Sequence, residues 1–111
     1  MQVLVNPTVV TQIVSTTHET GKLFDGIFDL LDKQGERVGF VALDPWFQTK
    51  HVHIAAKLVG QEGYIKADSY NKDDSNLTMD DVIAAVEYCL ADLNIAVDWS
   101  NITLELNIDN A

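Results

Sequence analysis

His51 and His53 open the stretch of this chain best equipped for chemistry, because imidazole, carboxylate, phenol and ammonium groups recur there at strand spacing. From His51 to Val59 the apolar residues Val52, Ile54, Ala56 and Leu58 alternate with His51, His53, Ala55 and Lys57, the period of a half-buried strand. Gly60-Gln61-Glu62-Gly63 read as a tight turn brings Tyr64 to Tyr70 back as the partner strand. That register sets His53 opposite Tyr70, Ala55 opposite Asp68, Lys57 opposite Lys66 and His51 opposite Lys72. Two imidazoles spaced i, i+2 on a strand can ligate one metal, with Asp68 on the diagonal as a third ligand or as the group that orients a ring. The same face could hold a phosphate, the lysines supplying charge and the histidines donors or proton transfer. His51, His53, Asp68 and Tyr70 are therefore the residues a small metal- or phosphate-dependent enzyme would use. Histidine and lysine are also ordinary on the wet face of an antiparallel sheet, and this plainer reading carries more weight. The sequence accordingly predicts no resident metal or cofactor.

The run His51-Val52-His53-Ile54-Ala55 begins like the alternating histidines of the histidine-triad nucleotide hydrolases, but Ala55 stands where the third histidine is needed. None of that family's activity carries over. The paired His-x-Thr/Ser motif of two-histidine phosphoesterases, a glycine-rich phosphate loop and a serine-nucleophile elbow are all missing from the sequence. Asn71 to Asn76 offers oxygen ligands without the central glycine and terminal glutamate of a calcium loop. Cys89 falls on an apolar helix stripe with no base nearby in sequence, which suits a small hydrophobe better than a nucleophile.

Charge is distributed unevenly. The formal net charge is -10, yet no Lys or Arg follows Lys72, while Asp73, Asp74, Asp80, Asp81, Glu87, Asp92, Asp98, Glu105 and Asp109 all lie beyond it. On a helix turning about 100° per residue, Asp80, Asp81, Glu87 and Asp92 lie opposite the apolar stripe, among Ala84, Tyr88 and Ala91. Such a row of carboxylates would steer a basic partner by its field, in the way a row of phosphates does, although a solvated face that keeps the protein soluble is the plainer reading and carries more weight. Asp80 and Asp81 also favour the positive end of the helix dipole, a local benefit that Asp92 does not share. Residues 50 to 72 carry Lys50, Lys57, Lys66 and Lys72 against Glu62 and Asp68, so complementary surfaces on two copies could join as a homo-oligomer.

The elements that must position these groups follow from pattern. At 111 residues with 47% hydrophobic and 22% charged, the chain is sized for a single globular domain across residues 1-111 and has enough apolar material for a core. Thr8 to Thr17, rich in Val, Thr and Ile, is predicted to be a strand. Leu23 to Asp32 fits helix or strand; the turn residues Asp32-Lys33-Gln34-Gly35 favour a hairpin into Arg37 to Leu43. Asp44-Pro45 should then break that strand and leave Trp46 and Phe47 in a connection. Thr78, with Asp81 three residues on and Leu77 able to pack on Val82, starts an amphipathic helix from about Met79 to Leu93. Ile102, Leu104, Leu106 and Ile108 alternate with polar residues as a last strand.

The fold predicted is α+β: a mostly antiparallel sheet of five or six strands, one helix over one face, and a C-terminal strand. No apolar run approaches the roughly 18 residues of a membrane span, and no leader pattern is present, so a cytoplasmic protein is expected. The function favoured is a non-enzymatic interaction protein that binds a basic protein partner, and not nucleic acid directly, through Asp80, Asp81, Glu87 and Asp92. An inhibitor or accessory factor would behave this way. The alternatives are the small enzyme of the histidine face and a structural or assembly subunit.

Overall fold

The computed structural model describes residues 5–15, 26–46, 51–70 and 78–104, and of residues 45, 46 and 66–70 the backbone alone. Its elements are β1 (Thr8–Ser15), β2 (Gly26–Asp32), β3 (Arg37–Trp46), β4 (His51–Leu58), β5 (Ile65–Tyr70), α1 (Met79–Ala91) and β6 (Ile95–Val97), followed by a 3-10 turn at Trp99–Asn101. The sheet runs β5-β4-β3-β2-β1-β6. Every neighbouring pair is antiparallel except β1 with β6. The predicted α+β class and the hairpins are present, with one α-helix among the described residues. Among the described residues no helix is long and apolar enough to cross a membrane.

The two hairpin turns among the described residues have local causes. Between β2 and β3 the Asp32 carboxylate accepts from the amides of Gln34 and Glu36, each at 2.9 Å, and Gly35 takes φ +78, a left-handed conformation that glycine adopts without strain. Between β4 and β5 the sharp bend lies at Leu58 to Gln61: the Gln61 amide donates to the Leu58 carbonyl at 3.1 Å, and the Gln61 side chain accepts from the Leu58 amide at 2.9 Å. Glu62, Gly63 and Tyr64 then add length before β5 begins. The pairing is therefore His51 with Tyr70, His53 with Asp68 and Ala55 with Lys66. This corrects the predicted register by two residues, because the bend is centred on Val59-Gly60 and not on Gln61-Glu62. A two-residue slip keeps every side chain on its face and changes only its neighbours.

Pro45 does not end β3. The strand continues to Trp46 and pairs Pro45 with Val52 and Trp46 with His51. A proline fits a ladder when its nitrogen faces away from the partner strand, and β2 pairs with β3 only as far as Gly26 with Leu43 among the described residues. Phe47 lies outside the described residues.

Two β-bulges act at one end of β2. In β1 the register shifts between Val10 and Gln12, so Thr11 is an extra residue and both Val10 and Ile13 join the core despite their odd spacing. In β3 the shift between Leu30 and Leu31 makes Val38 the extra residue. Bulges strengthen twist, and α1 packs against β4 and β5 at one end of the strand order and β6 at the other. The sheet is curled around its helix.

The core joins Val10, Ile13, Phe28, Leu30, Val41, Leu43, Val52, Ile54, Ala56 and Ile95 from the strands to Val82, Ala85, Val86, Cys89 and Leu90 from α1. The Thr78 hydroxyl accepts from the Asp81 amide at 3.2 Å, while the Asp81 carboxylate accepts from the Thr78 amide at 2.8 Å. This is the predicted capping box; Leu77, its expected staple, lies outside the described residues. At the other end Asn94 takes φ +57, its side-chain amide donates to the Val5 carbonyl at 2.9 Å, and its carbonyl accepts from the Thr8 amide at 3.0 Å. The chain thus turns at once into β6 beside β1. The strand after the helix is Ile95–Val97, too short to show a period in sequence. The one expected from Ile102 is not seen at residues 102–104, and residues 105–109 lie outside the described ones.

Gly39 marks a close strand approach: a Cβ there would stand 2.5 Å from the Lys57 carbonyl oxygen, a backbone atom with little room to yield. Gly39→Ala should lower unfolding free energy by about 1–3 kcal/mol, as overpacked sites do, read from the urea midpoint. Thr78→Ala should cost about 1 kcal/mol by the same measurement, with Thr78→Ser close to the parent.

Candidate functional site

The outward face of the sheet is built in rows by the ladder. One row sets Val14, Asp29, Phe40 and Lys57 side by side on β1 to β4. The next sets Ile27, Ala42, Ala55 and the Lys66 position, and beyond it lie Asp44, His53 and the Asp68 position. The last holds the Trp46 position, His51 and the Tyr70 position. The centre of this face is covered: Ala55 is 2% exposed, Phe40 and Ala42 5%, and Asp29 8%. It differs from the wet surface that the alternation on β4 predicted.

Cations help to cover the central row. The Arg37 guanidinium lies 4.7 Å from the Phe40 ring centre, and its Nη1 is 4.0 Å from the Asp29 carboxylate. Lys57 places its ammonium 5.7 Å from the Phe40 ring and 5.0 Å from Tyr64. Contacts of this kind contribute about 0.5–2 kcal/mol each, depending on how dry they are. Lys57 therefore has a packing role here, as its apolar stem and charged head allow.

His51 and His53 are half-buried, with ring centres 4.4 Å apart and planes tilted by 50°. The structure brings these two predicted residues together and places Asp68 beside His53, one register step closer than expected. It also adds Asp44 on the other flank of His53. Asp44 was obscured in the sequence because Pro45 next to it reads as a strand break. Among the described residues, no three His, Cys, Asp or Glu groups are gathered in a metal-holding arrangement.

The acidic residues of α1 occupy its outer side. Asp80, Glu87 and Asp92 are exposed, together with Ala84 and Tyr88, the latter 70% exposed. Among the described residues no ammonium or guanidinium group pairs with Asp80 or Glu87. Asp81 is half-buried, with its carboxylate engaged in the capping box. Beyond the helix, Asp98 caps the 3-10 turn by accepting from the Ser100 hydroxyl at 2.7 Å and the Ser100 amide at 3.1 Å. Those bonds hold its carboxyl below the ordinary range, and the nearby charge of Lys33 acts in the same direction. Asp73, Asp74, Glu105 and Asp109 lie outside the described residues.

Cys89 is 1% exposed in the core. Burial pushes its thiol up to about 11, with the neighbouring Asp92 charge adding to the shift. A thiol so protonated is a poor nucleophile. Native protein at pH 8 should therefore react with a thiol reagent at least about 100-fold more slowly than urea-unfolded chain, followed by absorbance of the released chromophore. Compared with known proteins, the chain matches no family model, no curated protein and no solved structure.

Proposed function

We propose that this protein is a binding module whose acidic helix face engages a basic protein partner. The observation that carries the reading is the outer side of α1, where Asp80, Glu87 and Asp92 stand exposed around Ala84 and a Tyr88 that is 70% exposed. A large exposed aromatic among carboxylates suits an arginine-rich segment: its guanidinium groups can lie over the phenol ring while the acids take its remaining donors. Small residues at Ala84 and Ala91 leave room for the partner to approach. The absence of Lys and Arg after Lys72 adds a long-range field that speeds encounter with a cation and repels nucleic acid phosphates. Asp81 contributes charge to that field, while its oxygens serve the helix cap.

Asp92 sits at the C-cap of α1, where the helix dipole disfavours a carboxylate. Asp92→Lys would put there the charge that the helix dipole favours, so it probes binding more than helix stability. The test uses fluorescence anisotropy with arginine-rich peptides, alongside capture of a basic protein from cell extract. Binding to the parent chain should weaken steeply as salt rises. The triple change Asp80→Lys, Glu87→Lys and Asp92→Lys should abolish it with the circular dichroism unchanged, and Tyr88→Ala should weaken it by about tenfold. Binding that survives the triple reversal would refute the reading.

A further inference from the structure

We propose that His51 and His53 form a two-imidazole site for a divalent transition cation of the zinc or copper class, at the β5 end of the sheet and independent of the acidic helix. Three observations converge on it. The rings already stand 4.4 Å apart on one face of β4. Two nitrogens on one tetrahedral zinc are about 3.4 Å apart, a separation that side-chain rotation brings within reach of these rings. His53 is also flanked across the ladder by Asp44 on β3 and by the Asp68 position on β5.

That flanking chooses between cation and anion. A phosphate approaching His53 would meet a carboxylate on β3 and an acidic position on β5, whereas a divalent cation gains from both. Residues directly opposite in an antiparallel pair have Cβ atoms about 4.5–5.5 Å apart, so Asp44 can supply an oxygen ligand or accept from the imidazole N–H that faces away from the metal. Among the described residues the nearest lysine on the paired strand is the Lys66 position opposite Ala55, one row removed from His53. Because the described side chains are not gathered into a three-ligand set, binding requires a carboxylate to turn in beside the two rings.

Zinc titrated into the full chain against a competing chromogenic chelator should be taken up at about one equivalent, with His53→Ala weakening it about tenfold or more and Asp44→Asn by a smaller factor. His18 and all the helix acids remain in both variants, so uptake unchanged by His53→Ala would place the metal elsewhere and overturn the proposal. Copper(II) added to the unmodified chain gives a second reading that does not depend on a variant folding. Its electron paramagnetic resonance spectrum should show coupling to two imidazole nitrogens, and a spectrum of oxygen ligands alone would overturn the site.

Discussion

Among the described residues, one α-helix of 13 residues has to seal a sheet of six strands. Flat, six strands at about 4.8 Å spacing span about 24 Å, whereas a helix with its side chains is only about 10 Å across. The two surfaces match only if the sheet wraps around the helix. The bulges at Thr11 and Val38 and the close approach at Gly39 all serve that curvature. It lets Val82, Ala85, Val86, Cys89 and Leu90 meet side chains from β1 through β4 and from β6 in one cluster.

Curvature also gives the molecule two unlike exteriors. On the convex side of the sheet the charges are built into packing: Asp29 beside Arg37, Arg37 and Lys57 against Phe40, and Lys57 against Tyr64. On the helix side Asp80, Glu87 and Asp92 project from a surface of alanines and one tyrosine. Of the late acids, Asp80, Glu87 and Asp92 share the exposed side of α1, because the helix's apolar stripe fixes which way they point.

The elements were legible where one residue type dictates one geometry. Thr78 with Asp81 announces the helix start, and Asp32 with Gly35 announces the first hairpin, since a left-handed residue and a side-chain acceptor leave few alternatives. Register was not legible, because Gly60 and Gly63 both take positive φ and either glycine alone could have centred the bend. The face holding His51 and His53 survived that error; their neighbours did not. Asp44 was hidden by Pro45, whose effect on a strand depends on which side has a partner, a fact of topology. The bulge at Thr11 likewise left no trace in composition, and β6 is too brief for any periodicity. Burial of Ala42, Ala55 and Asp29 on the outward face follows no local pattern in the sequence.

Asn94 ties the beginning of the chain to its last third, holding the Val5 carbonyl while β6 lies parallel to β1 and pairs Thr8 with Ile95. On a ribosome, the first strand emerges long before this partner is made. Until then its outer backbone groups and the apolar side of the nascent sheet have no helix to shelter them. Early hairpins can form and dissolve in that interval, but closure must await the synthesis of α1 and β6. A chain stalled or cleaved before α1 would therefore expose a sticky ribbon, making its premature fragments natural clients for chaperones and proteases.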